Sequence, residues 1–600
     1  MTVINEQLLR QRQLLLLVLL GVFVISVVCV SIAIVVIHSP FQDSEFTGMQ
    51  NVLFIVVDDL RPALGCYGDE RAITPNIDQL ASRSVIFKNA YAQQALCAPS
   101  RTSFLTSRRP DSLHLYDTGS YWRDSVGNFT TIPQHFKFHD YETISIGKVF
   151  HHGIVSNMTD DYPYSWTEYP YRPPTQKFKM RPVCPSSDGK NHMNLICPVD
   201  VAKQPGGSLP DIESTQYAIN YLKSKRKGLN KDKPFFMGIG YYKPHIPFKF
   251  PREYLDLYPI DSMDLAPNNT LPPKLPEIAW NPWTDIRLRE DVENLNVSFP
   301  YGPLPEDFQK LARQGYYASL SYMDDQLGKL LKALEDTGYA EHTVIILIGD
   351  HGWSLGEHQE WSKYSNFEVS VKVPLVLHIP GITDSKERKA FKHISVLDYV
   401  SNENKTMSVS NMNISASTYV PKYVTNKLVE LVDLFPTLAD IVNIPIPPLC
   451  RFYKTVLCSE GLTFYPLIKH IVKGSASEEF PWKTAAFSQY PRPSISPRND
   501  SDQPDLEDIK YMGYSIRTAR FRYTEWVSFD SKRLKPNRTQ VVARELYDHK
   551  EDPFEANDVS DKPMYENIKK ELSRKIKKGW RHAMPPGLFD SPVKKKEYLS

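Results

Sequence analysis

Four apolar runs in this 600-residue chain end abruptly in polar clusters. Val56-Val57 leads into Asp58-Asp59, and Ile146-Gly147 into Lys148, with His151 three residues on. Gly240 leads through Tyr241-Tyr242 to Lys243-Pro244-His245, and Ile348-Gly349 into Asp350-His351-Gly352. Short runs rich in β-branched or aromatic residues, bounded by polar residues, Gly or Pro, are strands. Strands are read at Asn51–Val57, Thr143–Ile146, Phe235–Gly240, Thr343–Ile348 and Leu375–Ile379. Helical patterns alternate with them at Thr74–Ser84, Phe308–Gly338 and Asn426–Ile441. This predicts an α/β fold, a large mixed or parallel sheet flanked by helices. Ligands in such sheets bind at the carboxyl ends of strands. If the four runs are neighbours, their Asp, Lys and His side chains converge on one crevice.

Each cluster has an ordinary reading: an Asp after a strand caps a helix, and a lone Lys or His faces solvent. The coincidence at four strand ends is what points to chemistry. Asp58, Asp59 and Asp350 together would repel unless a cation neutralises them. Oxygen ligands suit Ca²⁺ or Mg²⁺, and a large flexible shell suits Ca²⁺. Such a cation among Lys and His side chains makes a site for an anionic group.

Composition removes other classes. Apolar residues at 41% and charged residues at 23% exclude wholesale disorder. Lys+Arg 71 against Asp+Glu 69 gives a net charge of +2, so no cation excess faces a nucleic acid. Protonation of the 16 histidines in an acidic compartment would make the protein strongly cationic. Leu14–Ile37 carries no charge and is long enough to cross a bilayer. Arg10 and Arg12 precede it and Asp43 and Glu45 follow, which places the N-terminus in the cytoplasm and the rest across the membrane. A long cleaved signal peptide ending near Ser31-Ile32-Ala33 is the rival reading. Either way the chain enters the secretory pathway, to a lysosome or, as a single-pass type II protein, to a membrane surface. Eight sequons agree, at Asn128, Asn157, Asn268, Asn296, Asn404, Asn413, Asn499 and Asn537.

The expected organisation is a cytoplasmic 1–13, an anchor 14–37, a linker 38–48, a main domain 49–470, a C-terminal subdomain 471–580 and a basic tail 581–600. The subdomain is read as antiparallel, from strand candidates Thr484–Ser488, Tyr511–Thr518 and Phe521–Val527 and a basic helical stretch to Lys578. Lys386–Tyr423 reads as a polar surface insertion.

Cys97-Ala98-Pro99-Ser100-Arg101, followed by Leu105-Thr106, resembles the signature of the sulfatase family, Cys-x-Pro-x-Arg followed by Leu-Thr. Asp58 to Pro62, Gly147 to His151, Lys243 to Phe248, Asp350 to Tyr364 and Ser488 to Pro493 are similar to the iduronate-2-sulfatase branch, over roughly residues 50–555. The resemblance implies an alkaline-phosphatase/sulfatase-like fold and removal of 2-O-sulfate from iduronate in heparan or dermatan sulfate. It implies that Cys97 is oxidised to formylglycine by the formylglycine-generating enzyme. The hydrate of that aldehyde attacks sulfur with one hydroxyl and releases sulfate by collapse of the second.

By the same resemblance, Asp58, Asp59, Asp350, His351 and the modified Cys97 hold one Ca²⁺. Arg101 orients the nucleophile, Lys148 and Lys363 bind sulfate oxygens, and His151 is the base. His245 and Lys363 flank the leaving alcohol, and Trp353 joins Lys148, His245 and Lys363 in binding a sulfated glycosaminoglycan. The resemblance also supports disulfides Cys184–Cys197 and Cys450–Cys458. Cys29 then lies in the anchor, and Cys66 is a packed thiol. Three departures stand out: Ser107 in place of Gly, Tyr242 in place of His, and the loop Asp117–Ser120. A sulfatase of other specificity, or an inactive membrane-tethered glycan-binding protein, is the alternative.

Overall fold

The computed structural model describes residues 50–384, 389–398, 419–452 and 455–586. The anchor at Leu14–Ile37, the Lys594–Lys596 tail, Cys29 and the sequons at Asn404 and Asn413 lie outside the described residues. Among the described residues no helix is long and apolar enough to cross a membrane.

The main sheet is built from β1 (Asn51–Val57), β2 (Val85–Tyr91), β3 (Glu142–Gly147), β4 (Phe235–Tyr241), β5 (Thr343–Gly349), β6 (Lys372–Val373), β7 (Leu375–His378) and β8 (Tyr423–Glu430). Their order is β6-β2-β7-β5-β1-β4-β3, and β8 also pairs with β2. β1, β3, β4 and β5 run parallel, whereas β7 is antiparallel to both β5 and β2. A parallel strand covered on both faces reads as a continuous apolar run, which is why β1 is NVLFIVV. Its side chains alternate: Leu53, Ile55 and Val57 enter one core, Val52, Phe54 and Val56 the other. The first core is closed by α3 (Pro210–Lys227) and the 31-residue α4 (Glu306–Asp336), with α1 (Pro75–Ala81) beside them. The second takes α2 (Cys97–Thr106), α5 (Leu434–Ile441) and α6 (Tyr465–Val472).

Register fixes the site. Val57 pairs with Tyr241 on β4 and with Gly349 on β5, and Gly147 pairs with Gly240. Asp58, Asp350 and Lys148 therefore leave the sheet at one level of its carboxyl edge. Glycine is required there: a Cβ on Gly240 would lie 1.9 Å from the Lys148 carbonyl oxygen, and Gly147 turns with φ +68°.

A second sheet is antiparallel, in the order β9 (Ala486–Arg492), β10 (Tyr511–Arg517), β11 (Phe521–Asp530) and β12 (Lys535–Asp548), with α7 (Glu566–Lys578) on its core. From Gln50 onward the chain is one compact unit. Both disulfides are formed, with Cα–Cα distances of 5.0 Å, and Cys66 is a buried free thiol. One element differs from expectation. Asn426–Ile441 is not one helix: its first five residues lie in β8, a turn follows at Leu431–Asp433, and only α5 is α-helical. Pairing with β2, distant in sequence, overrides the local pattern. Asn128, Asn157, Asn296, Asn499 and Asn537 are exposed. Asn268 is half-buried, with its amide nitrogen turned inward and without a hydrogen-bond partner.

A buried charge cluster ties β8 to the C-terminal part. Glu430 accepts two hydrogen bonds from Arg109, at 2.7 and 2.9 Å, and one from Lys483 at 2.7 Å. Lys483 also binds Asp433 at 2.6 Å. Burial alone would raise the Glu430 carboxyl, but Arg109 and Lys483 lower it from 4.5 to about 2. Its stabilising contribution is therefore complete above pH 4.5 and is lost as pH falls toward 2. In urea unfolding, Lys483→Met is expected to cost about 3 kcal/mol at pH 7, because Asp433 loses its ammonium partner and Glu430 keeps only Arg109. The deficit of Glu430→Gln against wild type is expected to shrink between pH 7 and pH 3; an unchanged deficit would remove Glu430 from the acid response.

Candidate active site

Cys97 opens α2 and is 3% exposed. Its Sγ lies 3.2 Å from Lys363 Nζ, 3.4 Å from Asp58 Oδ1 and 3.4 Å from His351 Nε2. One helical turn on, Arg101 is fully enclosed. Its Nη2 donates to Asp58 Oδ1 at 3.1 Å and its Nε to Asp350 Oδ2 at 2.9 Å. Its Nη1 donates to the carbonyls of Lys148 and Val149. The i, i+4 spacing of Cys97 and Arg101 puts both on one helix face, toward the strand ends.

The other cations complete a charge lattice. Lys148 Nζ meets Asp58 Oδ2 at 2.6 Å, and Lys363 Nζ meets Asp59 Oδ1 at 2.8 Å. Burial raises the Asp58 carboxyl, but Lys148, His245, Arg101 and Lys363 together hold it well below the usual carboxylate range. Asp59 has less compensation: burial pushes it up to about 7 against Lys363, with Asp58 adding to the rise. Asp59 itself sits at φ 60°, a left-handed turn that Asp tolerates, and its Oδ2 is buried with no hydrogen-bond partner.

That orphan oxygen tests the fit of a cation. Ligand atoms of Asp58, Cys97, Asp350 and His351 all lie within 4.8 Å of one another, as do those of Asp58, Asp59, Cys97 and His245. His351 Nδ1 is 3.0 Å from the Gly352 carbonyl. This fixes the neutral tautomer with the Nε2 lone pair facing the cluster, as a metal ligand requires. The three carboxylates, Asp58, Asp59 and Asp350, fit a hard divalent ion once an oxygen stands in place of the Cys97 sulfur.

Beside the cluster is a cavity of about 180 Å³. Asp58, Lys148, His151 and His245 are on its wall, with His152, Lys179, Asp211, Tyr242, Lys243 and Lys249. Burial, with Lys148 beside it, drives the His151 imidazole well below its usual value, so the ring is neutral, and its Nδ1 has no partner. Burial does the same to His245. His245 Nδ1 lies 2.6 Å from the Ile246 carbonyl, and its Nε2 is 3.9 Å from both Asp58 and Asp59. Cys97, Arg101, Asp59, Asp350, His351, Trp353 and Lys363 are deeper, none above 3% exposed. The Trp353 ring packs 5.5 Å from Lys363 Nζ, and neither side chain is on the wall of this cavity.

Two of the departures, Ser107 and Tyr242, have local explanations. Ser107 ends α2 at φ 53°, where glycine is preferred. Its hydroxyl is bonded to Ser459 Oγ at 2.7 Å and to the Val432 carbonyl, which offsets a left-handed cost of about 1 kcal/mol. The Tyr242 hydroxyl meets His152 Nε2 at 2.8 Å, and His152 Nδ1 meets Asp160 at 2.8 Å. The sequence reading missed His152, Lys179, Lys249 and Asp211. Only the basic character of the stretch before Cys184 marks Lys179, and position alone reveals its place.

The sulfatase family profile matches residues 50–444. Iduronate 2-sulfatase from Mus musculus is 49% identical over 558 residues, covering 91% of this chain and 96% of the relative. Iduronate 2-sulfatase from Homo sapiens is 48% identical over 539 residues, covering 89% and 94%. A phosphonate monoester hydrolase from Silicibacter pomeroyi shares the fold, with a TM-score of 0.63 at 18% identity, covering 90% of this chain and 97% of that one.

Removing the Arg101 guanidinium leaves Asp58 and Asp350 short of a buried counter-charge. Arg101→Met is expected to cost about 3–5 kcal/mol in chemical denaturation. Arg101→Lys should recover only part, because a point charge cannot reach acceptors on three strand ends. Full native stability in the Lys variant would contradict the clamp.

Proposed function

The chain belongs to the sulfatase family, and from that membership we infer that it hydrolyses sulfate monoesters, with the 2-O-sulfate of iduronate in heparan and dermatan sulfate as substrate. The observation that carries the reading is the Cys97 side chain, which opens a buried helix with an ammonium, a carboxylate and an imidazole all within 3.4 Å of its sulfur. An oxygen nucleophile at that position has every group it needs.

A formylglycine made from Cys97 would supply, as its hydrate, a hydroxyl to attack sulfur and a second whose deprotonation releases sulfate. A Ca²⁺ held by Asp58, Asp59, Asp350 and His351 would supply charge to polarise that nucleophile and neutralise sulfate oxygens. The chain's own residues do the rest. Lys148 and Lys363, protonated beside Asp58 and Asp59, attract the sulfate oxygens as point charges. Arg101 fixes the carboxylates, so the nucleophile's surroundings do not reorganise during reaction. His151, neutral and with a free Nδ1, accepts a proton. His245 spends its Nδ1 proton on Ile246, so its Nε2 faces the site as an acceptor. Lys363 is then the group with a proton to give the leaving alcohol. The two disulfides and the apolar run 14–37 support a secretory placement.

The test is expression in cells that make formylglycine, followed by mass analysis of the Cys97 peptide and assay on a 2-sulfated iduronide. The expected result is a mass consistent with formylglycine and turnover. An intact thiol with no turnover sinks the sulfatase reading, and turnover of aryl sulfate alone sinks only the iduronate assignment. Cys97→Ser is expected to lose at least a thousandfold in kcat. Chelation should lower both activity and the thermal midpoint, with Ca²⁺ restoring both. Asp350→Asn should weaken Ca²⁺ binding in calorimetry, and an unchanged affinity would take Asp350 out of the ligand set.

A further inference from the structure

Four lysines line the cavity beside Asp58, and they differ in what they hold. Lys148 gives its ammonium to Asp58. Lys243 donates to the carbonyls of His245 and Pro247. Lys179 and Lys249 have neither a hydrogen-bond nor an ion-pair partner for their ammonium groups among the described residues.

No carboxylate on the wall pairs with either of them. Two carboxylates face the cavity, Asp58 and Asp211. Asp58 is taken by Arg101 and Lys148. Asp211 accepts from the backbone N–H groups of Tyr242 and Lys243, at 2.8 and 2.9 Å. Lys249 is only 7% exposed, and an ammonium so enclosed is unfavourable without an opposite charge. Burial lowers Lys249 to about 8 against the pull of Glu213, and burial together with Lys148 lowers Lys179 to about 8. Both groups are short of negative charge, which an anionic ligand would supply.

We propose that Lys179 and Lys249 form a second anion subsite, which binds a carboxylate or sulfate carried by the sugar in addition to the sulfate that is cleaved. The proposal rests on the sulfatase reading and deepens it, assigning selectivity for doubly anionic substrates to two residues outside the Cys97 cluster. Lysine suits this task, because a compact point charge accepts either anion without a fixed geometry. The anion has two sources: the carboxylate of the uronate itself, or a sulfate on the neighbouring sugar.

The test compares kcat/KM for 4-methylumbelliferyl sulfate, 4-methylumbelliferyl iduronide 2-sulfate, the carboxyl-reduced form of the latter, and a disaccharide with a further sulfate on the adjacent glucosamine. In the Lys179→Gln, Lys249→Gln double variant, the ratio of a doubly anionic substrate to the aryl sulfate is expected to fall at least tenfold, through KM. A fall for the iduronide but not its carboxyl-reduced form identifies the carboxylate. A fall confined to the disaccharide identifies the neighbouring sulfate. Lys179→Arg, Lys249→Arg should keep most of the ratio, and no fall in either doubly anionic ratio overturns the subsite. Should wild-type protein turn over none of these, the sulfatase reading fails separately. Calorimetric binding of the disaccharide to wild type and to the Gln variant then decides: a tenfold weaker Kd supports the subsite, and equal Kd values overturn it.

Discussion

Arg101 is the interaction on which the rest of the site depends. Three carboxylates leave one edge of the sheet into an interior that excludes water, and alone they would repel each other or take up protons. One guanidinium, fully enclosed, bonds Asp58 after β1, Asp350 after β5 and two carbonyls after β3. Its planar fork fixes these groups in direction as well as in charge. Lys148 and Lys363 then add ammonium groups on the outer carboxylate oxygens. The result is a set of charges preorganised for an anion, as a reaction that moves negative charge between oxygens demands.

What the sequence disclosed follows from the kind of signal each part carries. Strands covered on both faces are continuous apolar runs, so β1, β4 and β5 and the polar residues at their ends are plain to read. The parallel register brings those ends level, so the polar residues that follow them meet as one cluster. The Cys97–Arg101 spacing is local and equally legible. β8 is not, because its pairing with β2 joins residues more than 330 positions apart. β12 escapes too: as a polar edge strand it lacks an apolar run. Lys179 and Lys249 follow no strand-end rule, and only the folding of two distant segments onto one cavity brings them together.

Two of the three departures from the family pattern, Ser107 and Tyr242, show how a site absorbs substitution. Ser107 takes a backbone conformation suited to glycine and fastens its hydroxyl to a segment near the second disulfide. Tyr242 reaches His152, which is held by Asp160, and Asp160 is itself bound by Arg172 at 2.7 Å. In each case the side chain finds a hydrogen-bond partner, so the cost is local and the neighbouring charges keep their places.

The burial of Cys97 sets an order of events in the life of the molecule. The sulfur sits under Lys363, at the start of a helix with no exposed residue. A catalyst with a cleft of its own cannot reach it once β1, β5 and α2 have closed around Arg101. Any enzymatic change to this side chain must therefore come before folding, during the short interval when the segment from Leu96 to Thr106 is still extended. A molecule that folds too soon keeps its thiol for good, and the fraction of working protein is then decided by a race in time, not by an equilibrium.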